Sequence, residues 1–388
     1  MHRRLVIVAL FVALLAPAAA RAGDGLIVGV SEDMMKWSST RPALTHRYVR
    51  HLGIGAIRVT FRWAPGQFYP RGSTMVALRR AERAADGRKL VLAVYSRANR
   101  TPLDPAMRGQ YCTFVARLLT AAPQVKDVVI WNEPNSPTFW RPQFDAAGES
   151  AAPAAYERLL SDCWDAIHAV RPDANVIAAS SPRGNDDPTA TRPSHSPVRW
   201  YAELAQAYRE SGRDRPIFDT VGHNPYPNTS AEPPWTRHTG GTVGEGDYAK
   251  LVFTLTEGFT GTSEPVPGEG LSIWYMEDGF QTRVERDRSR FYVGRENDPL
   301  ALAADLGSRT AARRVDQATQ LADAMRLAYC QPYVGAFFNF LLADEPSLSG
   351  WQSGLLWSDW QPKPSYAVFA HTVADINRGW VDCAAYGG

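Results

Sequence analysis

The sequence predicts an α/β fold, a single (β/α)8 TIM barrel with long βα loops. Short apolar segments alternate eight times with amphipathic helical segments, and strict alternation of this kind is typical of a parallel sheet. The chain has 388 residues, of which 45% are hydrophobic, so it can build one large core. No GxGxxG fingerprint follows the first strand, which argues against an open doubly wound sheet.

The eight predicted strands are short runs of apolar and β-branched residues, as buried parallel strands are. They cover 26–30, 56–61, 90–95, 127–131, 175–180, 218–222, 271–276 and 334–342. The intervening helices are predicted from three-four apolar spacing. They cover 41–52, 73–86, 104–119, 154–170, 197–210, 248–259, 315–329 and 365–376, with Ser73 as a possible N-cap. Long loops after strands six and eight, and a polar insertion at 285–309, are expected to shape a cleft at the C-terminal face.

The first 22 residues are predicted to be a secretory signal peptide, and residues 23–388 the barrel with a C-terminal tail. A basic start precedes an apolar run that is too short to cross a bilayer. The small residues before Gly23 resemble a cleavage site. A membrane anchor is the alternative. The prediction is therefore a secreted, extracellular protein that does not engage the membrane after cleavage.

Export would place the four cysteines in an oxidising compartment. Four cysteines allow three pairings, and four free thiols remain an alternative. Cys112 and Cys163 lie on consecutive predicted helices, which are neighbours around a barrel. Cys330 ends a late helix and Cys383 lies in the tail. We favour Cys112–Cys163 and Cys330–Cys383.

Composition narrows the class of partner and of chemistry. The net charge is +2 with no block of like charges, so neither nucleic acid nor a polybasic membrane contact is expected. No GxSxG, P-loop, HExxH or Cys/His metal spacing occurs, and no metal or cofactor is expected. The 12 tryptophans are numerous. Those in loops are either loop core or platforms that stack on sugar rings.

A carboxylate follows the fourth predicted strand. The apolar run 127–131 ends in Asn132, Glu133, Pro134 and Asn135, and Pro134 prevents the strand from continuing. In a β/α barrel, residues at the carboxyl ends of strands form the catalytic rim. Glu133 is therefore a candidate catalytic residue.

A second carboxylate, Glu277, follows the seventh predicted strand, which would face the fourth across the barrel mouth. Two facing carboxylates suit glycoside hydrolysis, and retaining enzymes place them about 5–5.5 Å apart. Glu257 is a rival, because the residues around it superficially copy the same motif. Placing Glu257 at the end of strand seven would leave no helix between strands six and seven, so the unit count favours Glu277.

The motifs resemble those of glycoside hydrolase clan A, the retaining barrels with catalytic glutamates on strands four and seven. The matching segments are Trp131-Asn-Glu-Pro134, Trp274-Tyr-Met-Glu-Asp-Gly-Phe280, His223-Asn-Pro-Tyr-Pro227 and Arg58 on strand two. Together they span the mature chain. The chain is most similar in character to the cellulase-like family 5 and to family 39.

The resemblance implies that Glu277 is the nucleophile and Glu133 the acid/base. A nucleophilic carboxylate must be ionised, so a cation and a hydroxyl donor are expected beside it, and Arg58 and Tyr226 are the candidates. Glu133 must begin protonated, partly because Glu277 is negative. Asn132 is expected to donate to the sugar 2-hydroxyl.

The remaining predicted substrate contacts have structural alternatives. His223 is expected to touch sugar or orient the rim, but a core histidine is an equal alternative. Trp63, Trp351 and Trp357, with Trp140, are either sugar platforms or loop core. Arg58 and Tyr226 also have purely structural alternatives.

The sequence thus predicts a secreted, monomeric, retaining β-glycosidase that acts on an extracellular polysaccharide or oligosaccharide. A carbohydrate-binding barrel without catalysis is one alternative. A transglycosylase with the same carboxylate pair is another.

Overall fold

The computed structural model describes residues 25–37, 42–296, 302 and 315–386. The predicted signal peptide lies outside these residues, as do residues 297–301 and 303–314, which include part of the polar insertion. No helix in the described ranges is both long and apolar enough to cross a membrane.

Eight parallel strands in the described residues close into a barrel, with each strand paired to the next and β8 paired to β1. The strands are β1 Ile27–Ser31, β2 Ala56–Arg62, β3 Lys89–Tyr95, β4 Asp127–Ile130, β5 Asn175–Ala178, β6 Thr220–His223, β7 Ser272–Asp278 and β8 Val334–Phe340. The predicted (β/α)8 barrel is therefore confirmed.

Eight α-helices of the described chain lie between and after these strands. They are α1 Pro42–Leu52, α2 Gly72–Ala85, α3 Pro105–Ala121, α4 Ala152–His168, α5 Pro197–Ser211, α6 Tyr248–Phe259, α7 Gln317–Tyr329 and α8 Pro364–Arg378. Ser73 lies inside α2 and does not cap it, because the helix begins one residue earlier, after Arg71. Glu257 lies inside α6, which excludes it as a strand-end carboxylate.

Two apolar layers hold the barrel together. Side chains that alternate along each strand point inward and fill the centre, where Ala56, Val91, Met276 and Phe338 pack together. Gly29 makes room for this layer, because a Cβ there would lie 2.8 Å from the Phe338 ring. The opposite faces of the strands pack on the helices in a much larger buried cluster.

Two disulfides join elements that are distant in sequence. Cys112–Cys163 links α3 to α4, and Cys330–Cys383 links the residue after α7 to the C-terminal tail. Both predicted pairs are confirmed.

Candidate active site

The site lies at the carboxyl ends of the strands, where regular strand geometry stops. Val129 of β4 belongs to the inner layer, so regular alternation would also turn Trp131 inward. Instead Trp131 has φ +68°, and its buried ring packs outward on Tyr111 and Trp140. Glu133 also has positive φ, +38°. Left-handed non-glycine residues of this kind concentrate at functional sites.

The seventh strand breaks its alternation in a different way. Trp274 and Met276 belong to the inner layer, so strict alternation would turn Glu277 outward. The pairing of β7 with β8 shifts register between Tyr275 and Asp278. Irregularities of this type re-aim side chains next to active sites. Glu277 consequently lines the central cavity.

Arg58 organises one half of the site. Its position on β2, two residues after Ala56, places it on the inner face. Arg58 Nη1 donates to Glu277 Oε1 at 2.5 Å and to Ser31 Oγ at 2.9 Å, and Nη2 donates to Asn132 Oδ1 at 2.9 Å. Arg58 is 2% exposed. A buried, charge-assisted network of this kind fixes the orientation of all three partners.

Tyr226 completes the surroundings of Glu277. Its hydroxyl donates to Glu277 Oε2 at 3.2 Å, so the two carboxylate oxygens have different donors. The ring of Tyr226 also lies 4.9 Å from the Trp351 ring, between centroids. Glu277 therefore has a cation on one oxygen and a hydroxyl on the other, the arrangement expected around an ionised carboxylate.

Glu133 is in a different environment. Burial, followed by the negative charge of Glu277, raises the pKa of Glu133 to about 7. Asn224 Nδ2 donates to Glu133 Oε1 at 2.8 Å, which opposes that increase because it favours the ionised form. A carboxyl with a pKa near neutrality can both donate and accept a proton at physiological pH.

A single cavity of about 950 Å³ connects these groups. Six predicted residues line it: Arg58, Asn132, Glu133, Tyr226, Glu277 and Trp351. Its volume is at the upper end of the usual range for small-molecule sites, about 300–1,000 Å³. Among the residues that the structure describes, no cluster of three His, Cys, Asp or Glu side chains is arranged to hold a metal.

Comparison with known proteins finds the same fold among solved structures. No family model matches the chain, and no curated protein matches it. A family 39 glycoside hydrolase from the gut symbiont Bacteroides cellulosilyticus superposes with a TM-score of 0.60 and 20% identity, over 90% of this chain and 64% of that one. The chain shares its fold with glycoside hydrolases.

Two further solved structures show the same fold. A GH5_18 protein from Bifidobacterium longum subsp. infantis has a TM-score of 0.56 and 12% identity, over 90% of this chain and 79% of that one. A GH2 β-galacturonidase from Eisenbergiella tayi, bound to galacturonate, has a TM-score of 0.53 and 13% identity, over 90% of this chain and 51% of that one. The chain thus spans about half the length of the galacturonidase. The predicted resemblance to families 5 and 39 is confirmed at the level of fold.

Three predicted substrate contacts lie away from the cavity of this barrel. His223 is fully buried, with Nδ1 2.8 Å from Ser180 Oγ and Nε2 2.9 Å from the Val243 carbonyl. Both ring nitrogens are therefore occupied by protein, and burial lowers the pKa of His223 to about 4. His223 is a core histidine that supports the sixth strand end.

Trp63 and Trp357 are also outside the cavity. Trp63 is 1% exposed, packs edge-on against Tyr111, and donates Nε1 to the Gln67 carbonyl at 2.9 Å. Trp357 is 2% exposed and packs beneath the cations of Arg288 and Lys363. Trp140, a further candidate, is fully buried. These tryptophans are core residues, because neighbouring protein groups cover each ring, and only Trp351 of the predicted group reaches the cavity.

Two functional candidates were not predicted from the sequence. Asn224 contacts Glu133 directly, and its only sequence signal is its place between His223 and Tyr226 in a strand-six motif. Arg183 lines the cavity from the loop after β5, where no motif marks it. Its charge acts on Glu133 and lowers the pKa of that carboxyl.

Proposed function

We propose that the protein is a retaining β-glycosidase that hydrolyses an oligosaccharide or polysaccharide through a covalent glycosyl–enzyme. The observation that carries this proposal is the unequal pair of carboxyls in one cavity. Glu277 accepts hydrogen bonds from Arg58 and Tyr226, as an ionised nucleophile requires. Glu133 has its pKa raised to about 7 by burial and by the charge of Glu277, as a general acid requires.

The reaction begins with glycosylation. Glu277 attacks the anomeric carbon, the glycosidic C–O bond breaks, and Glu133 gives its proton to the departing oxygen. The sugar becomes an ester of Glu277 and the leaving group departs as an alcohol. Asn132 assists, because its Oδ1 accepts from Arg58 and its amide N–H groups remain to donate to the sugar 2-hydroxyl.

Deglycosylation uses the same groups in the reverse order. Esterification removes the negative charge of Glu277, and that loss lowers the pKa of Glu133. Glu133 then ionises and takes a proton from water as the water attacks the anomeric carbon. The ester bond breaks, which restores the Glu277 carboxylate and releases the sugar with its original configuration.

Other features support a sugar substrate. The rings of Trp351 and Tyr226 lie together at the cavity wall and offer apolar faces to a pyranose ring. The structural neighbours with this fold include a family 39 glycoside hydrolase and a β-galacturonidase. The N-terminal sequence and the two disulfides support export from the cell.

Hydrolysis of a panel of aryl β-glycosides and β-linked polysaccharides tests the proposal. We expect turnover by the wild type and a loss of about 10²–10⁴-fold in kcat in Glu133→Ala on substrates with poor leaving groups. Azide should restore activity to Glu133→Ala and give a β-glycosyl azide. NMR of the first-formed product should show retained configuration.

Two variants sharpen this experiment. Glu277→Gln should abolish turnover, whereas Glu257→Gln on α6 should retain wild-type activity. Product of inverted configuration would overturn the retaining mechanism. Glycan binding by the wild type without turnover on any substrate would instead identify a carbohydrate-binding barrel.

A further inference from the structure

The charges that line the cavity are distributed unevenly. On the floor, the Arg58 guanidinium contacts the Glu277 carboxylate. On the β1 side, Asp33 pairs with Lys36 at 2.8 Å. A second lining arginine, Arg62, lies over the Tyr95 ring, 4.1 Å from its centroid. The loop after β5 brings two more arginines, Arg183 and Arg192, to the cavity. Within the described residues, neither arginine has a carboxylate at ion-pair distance.

The guanidinium groups of both arginines are held by neighbouring loops. Arg183 Nη2 donates to the carbonyls of Tyr226 at 2.8 Å and Pro227 at 2.7 Å. Arg192 Nη2 donates to Thr138 Oγ1 at 2.6 Å. Each side chain is thereby anchored through one nitrogen. No described residue accepts from the Nη1 or Nε atoms, which remain free to bind a ligand.

The position of the arginines relative to Glu133 indicates which part of a substrate they would meet. Thr138, which anchors Arg192, lies in the loop that carries Glu133 and lines the same cavity. Arg183 is close enough to Glu133 for each charge to affect the other. A general acid contacts the departing oxygen, so its side of the cavity holds the leaving-group sugar.

We propose that Arg183 and Arg192 form a leaving-group subsite for an acidic sugar, with the carboxylate of a uronic acid as the group they bind. Two anchored guanidinium groups with no described carboxylate at ion-pair distance suit a planar oxyanion, because the fork of N–H donors matches both of its oxygens. Neutral sugars offer only hydroxyls, which accept hydrogen bonds from a guanidinium but carry no charge to pair with it. The assignment rests on the proposed function only for the location of the leaving group.

Binding measurements on inactive full-length protein test the subsite without requiring turnover. Calorimetry on the Glu277→Gln variant would compare β-1,4-linked gluco- and manno-oligosaccharides with counterparts of equal length that are oxidised to uronates at C6. In the gluco series, the manno series or both, we expect the uronate oligomer to bind about tenfold or more tightly than the neutral oligomer of the same length. Sodium chloride should weaken that preference.

Substitution of the arginines assigns the preference to the subsite. When Arg183→Gln and Arg192→Gln are added to the Glu277→Gln variant, the preference for uronates should fall to about threefold or less. Thermal unfolding verifies that this triple variant is folded. The control is Arg79→Gln, an exposed arginine on α2, which should keep the full preference.

Three results would overturn the acidic subsite. The first is that uronates bind no more tightly than the neutral oligomers in both the gluco and the manno series. The second is a uronate preference that survives the double arginine substitution. The third is that no uronate binds at all. Oligomers with 6-O-sulfates form a further arm, and tight binding of these without any preference for uronates would also reject the carboxylate assignment. Failure of the glycosidase proposal is recognised separately, by absence of wild-type turnover.

Discussion

At the residue scale, Glu133 is the most sensitive group of the site, because four neighbours act on its proton with different signs. The charge of Glu277 raises the pKa of Glu133, whereas the amide of Asn224 and the charges of Arg58 and Arg183 lower it. Burial, the largest influence, raises it. The proton affinity of the acid/base is thus set by residues from β2, β7 and the loops after β5 and β6.

Removal of the charge on Glu277 should lower the pKa of Glu133. In Glu277→Gln we expect a value below the wild-type value of about 7, yet still above the usual range of a glutamate, because burial remains. Infrared or carbon NMR titration of the Glu133 carboxyl measures it. The matched control is Glu345→Gln in the same cavity, which should shift the pKa of Glu133 less than Glu277→Gln does. An unchanged or raised pKa in Glu277→Gln would contradict the coupling.

Removal of the amide of Asn224 should have the opposite effect. Asn224→Ala deletes a donor to the Glu133 carboxylate, so the pKa of Glu133 should rise. The alkaline limb of the kcat/KM profile should therefore move to higher pH, since the general acid keeps its proton longer. Asn99→Ala, at an exposed position, serves as control. A shift to lower pH would show that Asn224 does not stabilise the ionised form.

At the element scale, the loops after β7 and β8 depend on one buried ion pair. Lys363 Nζ donates to Asp344 Oδ1 at 2.7 Å, to Thr282 Oγ1 at 2.8 Å and to the Gln352 carbonyl at 2.9 Å. Both charged side chains are fully buried. The same loop carries Trp351 to the cavity wall, so the ion pair supports the site from a distance.

Breaking this pair on one side should be costly. Lys363→Met leaves the Asp344 carboxylate buried without its cation, and we expect the free energy of unfolding to fall by about 3–5 kcal/mol. Urea denaturation measures the change. Adding Asp344→Asn should recover part of it, because the uncompensated charge is removed. For comparison, Arg79→Met at the exposed pair with Glu82 should cost less than about 1 kcal/mol.

At the scale of the whole molecule, two disulfides fasten neighbouring parts of the barrel wall. They connect residues separated by 51 and 53 positions in the chain. Loops of this length restrict the unfolded chain substantially. The second disulfide holds the tail against the end of α7, next to the position where α8 closes the helical ring.

Each disulfide should contribute about 2–5 kcal/mol to the free energy of unfolding. Replacement of both cysteines by alanine measures this by denaturant unfolding. The Cys112/Cys163 variant should lose more free energy of unfolding than the Cys330/Cys383 variant. Cys112 and Cys163 are 2% and 0% exposed, so their replacement leaves a buried cavity, whereas Cys383 is partly exposed. Equal stability of the wild type in its oxidised and fully reduced states would refute a stabilising role.

Predicted and observed elements agree closely at this scale. Helix α6 has the predicted bounds, and the other elements differ by a few residues at their ends. The agreement has a physical cause, since strand and helix periodicities record which side of each element is buried. The Cys112–Cys163 pair was also predictable, because consecutive helices of a barrel are neighbours.

The periodicity of the sequence was enough to predict eight strands alternating with eight helices, and to place Glu133 and Glu277 at the same rim of one barrel. Tertiary structure alone decided where their side chains point, because a left-handed turn at Trp131 and a register shift in β7 interrupt the regular alternation. It also decided that Trp351 faces the cavity while His223 and Trp63 do not. Orientation in loops depends on contacts between distant segments, and local periodicity does not encode those contacts.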